Sequence, residues 1–582
     1  VGVGGAADMT PLRFLLRNLV YHWRGNLAVF LGVVVGAAVL TGALLVGDSL
    51  RGSLRDLTLR RLDGIDYALV GGRFFREEAA NGLPVRKVGW AIMVRGTALL
   101  GEDGPPVRNV NVMAFADDEE YWNVAGASLG PANNAEADAV WLSKALADAM
   151  NAHEGDQVTL RVGQVNVIPS ESLLGRRDAG SVSTLIKATV RKICTPDQFE
   201  SRLNLAPTTE PPRNAFLPLW KLQEALGQKD RINTILALGA QPGFHDVFRE
   251  HLQLPDWGLT VRDPTPQENF LTLESRQLMI EPAVESAALA AAKDVKLRAA
   301  PTLVYIADTL SDGRANVPYV VVAALDPAAA PPLGPFLPTR PKRVTELKDD
   351  EIVLAGWPGS PITAKPGDTI TLRYYPPEEN GEFQLKEATF RLAGTIPMTG
   401  PADDRGLTPE VKGITDVASF RDWKNSPFPY DPGRIHPADE AYWNEHRATP
   451  RAYVTLAAGQ KLWGSRFGKL TSIRLSTEDG SDPAKSKDAF EAALKSHLNP
   501  DQAGLAFLPI KEQALKASEG STGFADLFLG FSFFLIAAAL LLVGLLFRLN
   551  LDRRASEFGL LTAVGWPRWM ICLLLLAEGV LL

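Results

Sequence analysis

Charged residues drop out of the chain in two places. Leu27 to Val46 reads LAVFLGVVVGAAVLTGALLV, and Leu527 to Phe547 reads LFLGFSFFLIAAALLLVGLLF. At about 1.5 Å of rise per helical residue, each run spans about 30 Å, the thickness of a bilayer's hydrocarbon core. A third apolar run begins at Trp569 and is unbroken at Leu582. The pattern predicts membrane helices at 27–46 and 527–547 and the start of a third at 569–582. The chain therefore reads as the N-terminal part of a longer one. A cleaved signal peptide fits the first run poorly. Its apolar core exceeds the usual length of about 7–15 residues, and no clear small-x-small cleavage site precedes the charged Asp48. The residues VGVGGAAD before Met9 are set aside, and 9–26 is a basic amphipathic segment.

Between the apolar ends the period shortens to that of strands. Runs such as VTLRV and ITLRYY alternate apolar with polar between Gly-Asp pairs, and LSKALADAM reads as a short helix. The region also repeats itself. At a constant offset of 212, Asp138, Leu142, Gly155, Asp156, Thr159, Leu160 and Arg161 match Asp350, Leu354, Gly367, Asp368, Thr371, Leu372 and Arg373. ATVRKICTP from Ala188 pairs with ATFRLAGTIP from Ala388. VNVMAFAD pairs with VVVAALD, and AFLPLWKLQEALG from Ala215 with AYVTLAAGQKLWG from Ala452. Four matches in one order predict two tandem α+β repeats, 65–279 and 280–509. A stalk helix at 47–64 and a second stalk at 510–526, ending near Gly520 and Gly523, join them to the membrane. The proline-rich stretches 325–342 and 396–449 read as surface insertions. The Gly-Asp pairs read as tight turns rather than metal ligands, because Gly supplies a positive φ and Asp bonds its own backbone.

Arg13, Arg17 and Arg24 precede the first span, and Arg548, Arg553, Arg554 and Arg568 separate the second from the third. Both sets belong on the cytoplasmic side. Arg51, Arg55, Arg60 and Arg61 argue the other way, but a long segment translocates largely regardless of its charge. Residues 48–523 then lie outside the cytoplasm, and 548–568 forms a cytoplasmic loop. A net charge of −7 and a pI near 5.7 argue against nucleic acid as a partner. Two cysteines, Cys194 and Cys572, exclude a disulfide scaffold and a multi-cysteine zinc site. The string GSRFGK at Gly464 is one residue short of a phosphate-binding loop, and no metal-spaced His or Cys cluster occurs. Gly47-Asp48-Ser49-Leu50 spells a hydrolase string without the base a nucleophile needs. The sequence offers no catalytic, cofactor or metal residues.

The stretch after the second span, RLNLDRRASEFGLLTAVGWPRWMICLLLLAEGVLL, resembles the signature of the FtsX/MacB-type ABC transporter permeases. Arg554, Glu557, Phe558, Gly559, Leu560, Leu561, Ala563, Gly565, Arg568, Glu578 and Gly579 occupy the signature's places. The basic N-terminal stretch and the run VWLSKALADAM to GDQVTLRV are similar to the same family. The fold class expected is an α-helical membrane protein with a large extracytoplasmic α+β region of two tandem repeats. The resemblance implies a permease subunit, not itself an enzyme, in the bacterial inner membrane and multi-pass. A cytoplasmic ATP-binding subunit would carry the ATP and Mg and drive lipoprotein or lipid release, or export. Further implied partners are membrane lipid, a second permease as homodimer or paired chain, and a lipoprotein cargo or periplasmic protein. In the coupling loop, Phe558, Leu560 and Leu561 read as apolar anchors, with Arg553, Arg554 and Glu557 as a charged rim around Gly559 and Gly565. Glu578 lies inside a span and has to face protein or water. The extracytoplasmic core occurs twice here where the family usually has one, and Pro567 predicts a kink before the third span. The alternative reading is a membrane-anchored extracytoplasmic binding or scaffold protein without an ATPase partner.

Overall fold

The computed structural model describes residues 11–581 except 117–130, 132–137, 164–167, 169–173, 175–182, 207, 209, 265–268, 340–342, 378–382, 424–425 and 519–523. Gly520 and Gly523, the expected end of the second stalk, therefore lie outside the described residues, as do Met9 and Leu582. Two compact units form. One gathers residues 1–62, 204–208 and 511–582, and the other residues 63–203 and 209–510.

The first unit opens with α1 (Pro11–Tyr21) and α2 (Trp23–Leu62). The segments Leu15–Tyr21 and Trp23–Ala38 meet at 88°, with His22 between them. The expected span 27–46 and most of the stalk 47–64 are one uninterrupted helix that ends at Leu62, because no proline separates them.

The second unit holds two sheets. The first contains β1 (Tyr67–Arg76), β2 (Val85–Leu100), β3 (Val107–Phe115), β4 (Ala139–Ser143), β5 (Gln157–Gly163), β6 (Ser183–Cys194), β7 (Asn214–Phe216) and β8 (Arg231–Ala240). Its order is β1-β8-β2-β3-β7-β4-β6-β5, and β2 also pairs with β5, so six strands close into a barrel. The second sheet contains β9 (Leu259–Arg262), β10 (Leu271–Ser275), β11 (Leu297–Ser311), β12 (Asn316–Leu325), β13 (Glu351–Gly356), β14 (Thr369–Tyr374), β15 (Lys386–Pro397), β16 (Ala452–Thr455) and β17 (Ser472–Thr477). Its barrel, β11-β12-β16-β13-β15-β14, closes back on β11 with the same parallel and antiparallel pairings. Each barrel contains one long strand that changes partner. Val85–Ala91 of β2 pairs with β8 and Gly96–Leu100 with β5; Leu297–Thr302 of β11 pairs with β17 and Thr309–Ser311 with β14. Even the irregularity recurs. The β4–β6 register shifts between Val140 and Trp141, and the β13–β15 register between Ile352 and Val353.

Two sequence expectations need correction. The boundary at 279/280 cuts the second sheet, because β10 lies before it yet pairs with β17, and β9 joins the same sheet through β10. Thr189 pairs with Ala139 and Arg391 with Glu351, so Ala188 corresponds to Phe390 and not to Ala388. The two-residue slip was invisible in the sequence because strand side chains repeat every two residues, and it leaves every residue on the same face.

The Gly-Asp pairs are turns. Gly155 and Gly367 sit at φ 95° and 100°. Asp156 accepts from the His153 amide at 2.7 Å, and Asp368 from the Lys365 amide at 2.8 Å. Val112, Val140, Leu142, Val158, Leu160 and Val190 fill the first barrel; Val322, Ile352, Leu354, Ile370, Leu372 and Leu392 fill the second. In the first, α3 (Lys144–Met150) closes one end with Leu146, Ala147 and Met150, its N-terminus capped by Ser143.

The proline-rich stretches are a second core rather than loose surface loops. On β12, Val320, Val322 and Ala324 point into the barrel, while Tyr319, Val321, Ala323 and Leu325 point outward into an aromatic layer. Phe420, Trp423, Phe428 and Trp443 of that layer are buried; Trp423 and Trp443 cross edge to face at 5.5 Å. Their indole N–H groups donate to the carbonyls of Ile414 and Val417 at 2.8 and 3.1 Å. Proline density marked irregular backbone, while the interspersed aromatics carry enough apolar area to bury it.

The chain returns to the helical unit with α4 (Phe524–Arg553), α5 (Ala555–Ala563) and α6 (Arg568–Leu581). The expected loop 548–568 is thus mostly helical. Its first residues extend α4, and its middle is α5. Gly565 at φ 98° ends α5, and α6 starts directly after Pro567, where the missing amide costs nothing. Among the described residues, Phe533–Arg553 alone is long and apolar enough to cross a membrane as a single helix; Trp23–Ala38 passes only jointly with Leu15–Tyr21.

Candidate functional site

The helical unit is held by close backbone approach on one side and a polar knot on the other. A Cβ added at Gly25 would fall 2.6 Å from Asn550 Oδ1, at Gly32 3.0 Å from Leu546 Cδ1, and at Gly36 2.9 Å from Ala539 Cβ. The order of these contacts makes α2 and α4 antiparallel. Small residues at the contact give the dispersion and backbone packing on which helix association in lipid depends. Asn550 donates to Asn26 Oδ1 at 3.1 Å, and Asn26 donates to the Leu19 carbonyl at 3.1 Å, near the bend into α1.

One helical step beyond α4, Arg554 turns inward and is 3% exposed. Its Nη1 donates to Glu578 Oε2 of α6 at 2.6 Å, and its Nη2 to Glu578 Oε1 at 3.4 Å. Glu578 is itself 2% exposed and also accepts from Asn18 of α1. Ile571 and Leu574 share its buried face of α6, at helical spacing. Arg554 Nε lies 3.5 Å from Glu557 Oε2, and that oxygen lies 3.0 Å from His22 Nε2. The Arg554 guanidinium also sits 5.4 Å from the Phe558 ring centre. Two buried charges of opposite sign, each with further hydrogen bonds, satisfy the condition under which a buried pair is tolerable.

The sequence-marked residues divide by face. Arg554 and Glu578 are inside, and Glu557 and Phe558 are half-buried against the knot. Leu561 is half-buried, whereas Arg553, Gly559, Leu560 and Gly565 are exposed, with Val564 beside them. Arg554 thus leaves the charged rim in which the sequence placed it and becomes the link from α4 to α6. Sequence reasoning did not single out Asn18, His22, Asn26 and Asn550. Their signal was present: each is a polar residue next to an apolar run, where an unsatisfied polar group is expensive.

Among the described residues no group of three or more His, Cys, Asp or Glu is placed to hold a metal ion. Residues 529–582 match the family model described as FtsX-like permease C-terminal. No curated protein matches the chain. Among solved structures, the chain is similar to the periplasmic region of MacB from Actinobacillus actinomycetemcomitans. Identity is 13% and the TM-score 0.20, over 33% of this chain and 86% of that one. The extracellular domain of the ABC-type transporter YknZ from Gram-positive bacteria is similar at 13% identity and TM-score 0.19, over 31% and 87%. A domain of a putative permease from Porphyromonas gingivalis is similar at 15% and 0.19, over 31% and 77%. The segment 529–582, which resembles the FtsX-like permease C-terminal family, contains α5, Arg554 and Glu578.

Proposed function

We propose that this chain is a permease subunit of an ABC transporter, multi-pass in a bacterial inner membrane, with residues 63–510 outside the cytoplasm. A separate cytoplasmic subunit would bind ATP and Mg and dock on α5. The observation that carries the reading is the family match over 529–582, within which α5 exposes Leu560 and Val564 while Arg554 and Glu578 tie its base to α6 and α1. Force applied to α5 would pass through that pair to α6, and through His22 and Asn18 to α1. The equal pairing orders of the two barrels support reading them as tandem repeats. We extend the proposal to a dimer, a homodimer or a paired permease, that drives lipoprotein or lipid release, or export.

The test is co-purification from membranes of the full-length gene product. Leu560→Asp should remove the ATP-binding subunit and leave membrane insertion and the fold intact, because the side chain is 67% exposed. Glu578→Ala should instead destabilise the helical unit by about 3–5 kcal/mol by stranding a buried arginine. An ATPase absent from both wild type and variant would leave the scaffold reading in place.

A further inference from the structure

The two barrels differ at one end. In the first, Leu146, Ala147 and Met150 of α3 are buried in the barrel core. At the offset of 212, the second barrel has Pro358, Gly359 and Ile362 in those places. Ala355 stands where Ser143 caps α3, so the cap is missing. Pro361 removes one amide more, and the segment forms no helix. A cleft of about 480 Å³ remains. Its floor is barrel lining, with Val317, Val320 and Leu354, and Trp357 forms a wall. Arg451 borders it too, but its Nη1 donates to Asp439 Oδ1 at 2.8 Å and its guanidinium lies 4.1 Å from the Tyr442 ring centre. The cation is already neutralised, and the cleft presents no free charge from it to a ligand.

This volume falls in the usual range for small-molecule sites, roughly 300–1,000 Å³. The first barrel shows what the place accepts. Leucine and methionine side chains fill it there, and both are flexible, aliphatic and uncharged. We propose that the open mouth of the second barrel binds the alkyl chain of a fatty-acid-like amphiphile, beside Ile362 and in the position that Leu146 occupies in the first. The head group would remain outside, near Ser360 and Thr395, which line the cleft. The proposal stands apart from the transporter reading, since it needs no ATPase partner.

The test is photolabelling of the full chain in its native membranes with a diazirine-bearing dodecanoic acid, followed by peptide mapping. Label is expected on 354–364 and not on 138–152, the closed mouth of the first barrel. Excess dodecanoic acid should remove it, and excess naphthoic acid should leave it. Ala364→Trp, at the half-buried edge of the cleft, should lower labelling of 354–364 at least tenfold while label in the membrane helices is unchanged. Ser360→Trp gives a second way to fill the cleft should the first variant fold poorly. Absence of label on 354–364, label that survives in a folded tryptophan variant, or displacement by naphthoic acid alone would each overturn the proposal.

Discussion

Val140, Leu142, Val158 and Leu160 line the first barrel; Ile352, Leu354, Ile370 and Leu372, each 212 residues on, line the second. The two interiors use one pairing plan, one turn at Gly155 or Gly367, and one register shift. Their exteriors differ. In the second barrel the aromatic layer covers the outward face of β12, the barrel interior covers the other, and the strand is buried from Val317 to Leu325. The first barrel's β3 keeps Arg108 and Asn109 exposed. Their ends differ as well, with a helical plug on one and an open cleft on the other. Barrel closure depends on a few inward positions and two turns. The outward positions and the loops are left free to vary, because a strand's two faces are chemically independent.

The contrast can be broken most strongly at the aromatic layer. Trp443→Ala should cost about 3–5 kcal/mol, since it empties a fully buried site beside Trp423 and Phe420. Hydrogen exchange should then rise in β12 and leave β3 untouched; equal exchange in both strands would mean that the layer does not stabilise the second barrel separately. Next comes the plug. Leu146→Ala should cost about 2–4 kcal/mol, while Ile362→Ala, at the half-buried matching position, should cost under about 1 kcal/mol. Paired denaturant melts followed by barrel-specific exchange would detect a reversal of that order.

A smaller difference lies at the far end of β6. Cys194 pairs with Ser143, and the matching residue of the second barrel is Ile396, which pairs with Ala355. Burial, with Glu200 nearby, pushes the Cys194 thiol up from 9.0 to about 11. The folded chain therefore holds that proton longer than the unfolded one does. The resulting stability is complete below pH 9.0 and is lost as pH rises towards about 11. Cys194→Val should flatten the first barrel's alkaline loss by about 3 kcal/mol at most, leaving the second barrel's profile unchanged. The smallest effect tests sameness. Gly155→Ala and Gly367→Ala should each cost about 1 kcal/mol through positive φ alone, since no neighbour obstructs a Cβ at either. Unequal costs would mean that the two turns are not equivalent.

Much of this architecture was legible in the chain. The 212-residue offset located matching turns and barrel-lining positions because turn chemistry and inward volume are local requirements. The β6 and β15 match slipped by two residues because alternation alone has no way to count pairs along a strand. The boundary at 279/280 missed β9 and β10 because short strands declare themselves only through a partner, and the pair is tied to its sheet only through β17, which meets β10 from the far end of the region. The proline stretches were misread because proline reports backbone, while burial of Trp423 and Trp443 depends on what lies opposite.

The helical unit shows the same division. Apolar length predicted where α2 and α4 run, and the signature singled out Arg554, Glu557 and Glu578 together, with Arg553 beside them in the charged rim. The sequence by itself determined the apolar runs, the turn glycines and the barrel periodicity, because each follows from local sterics and the cost of exposing or burying a side chain. Only the tertiary structure decided which arginine of an adjacent pair turns inward, that β2 closes on β5 and β11 on β14, and that one barrel mouth stays open. Those outcomes depend on groups distant in sequence: Glu578 and Asn18 for Arg554, the partner strands for β2 and β11, and for the plug Asn214, whose amide donates to the capping Ser143. Such pairings acquire an energy only when the chain brings them together.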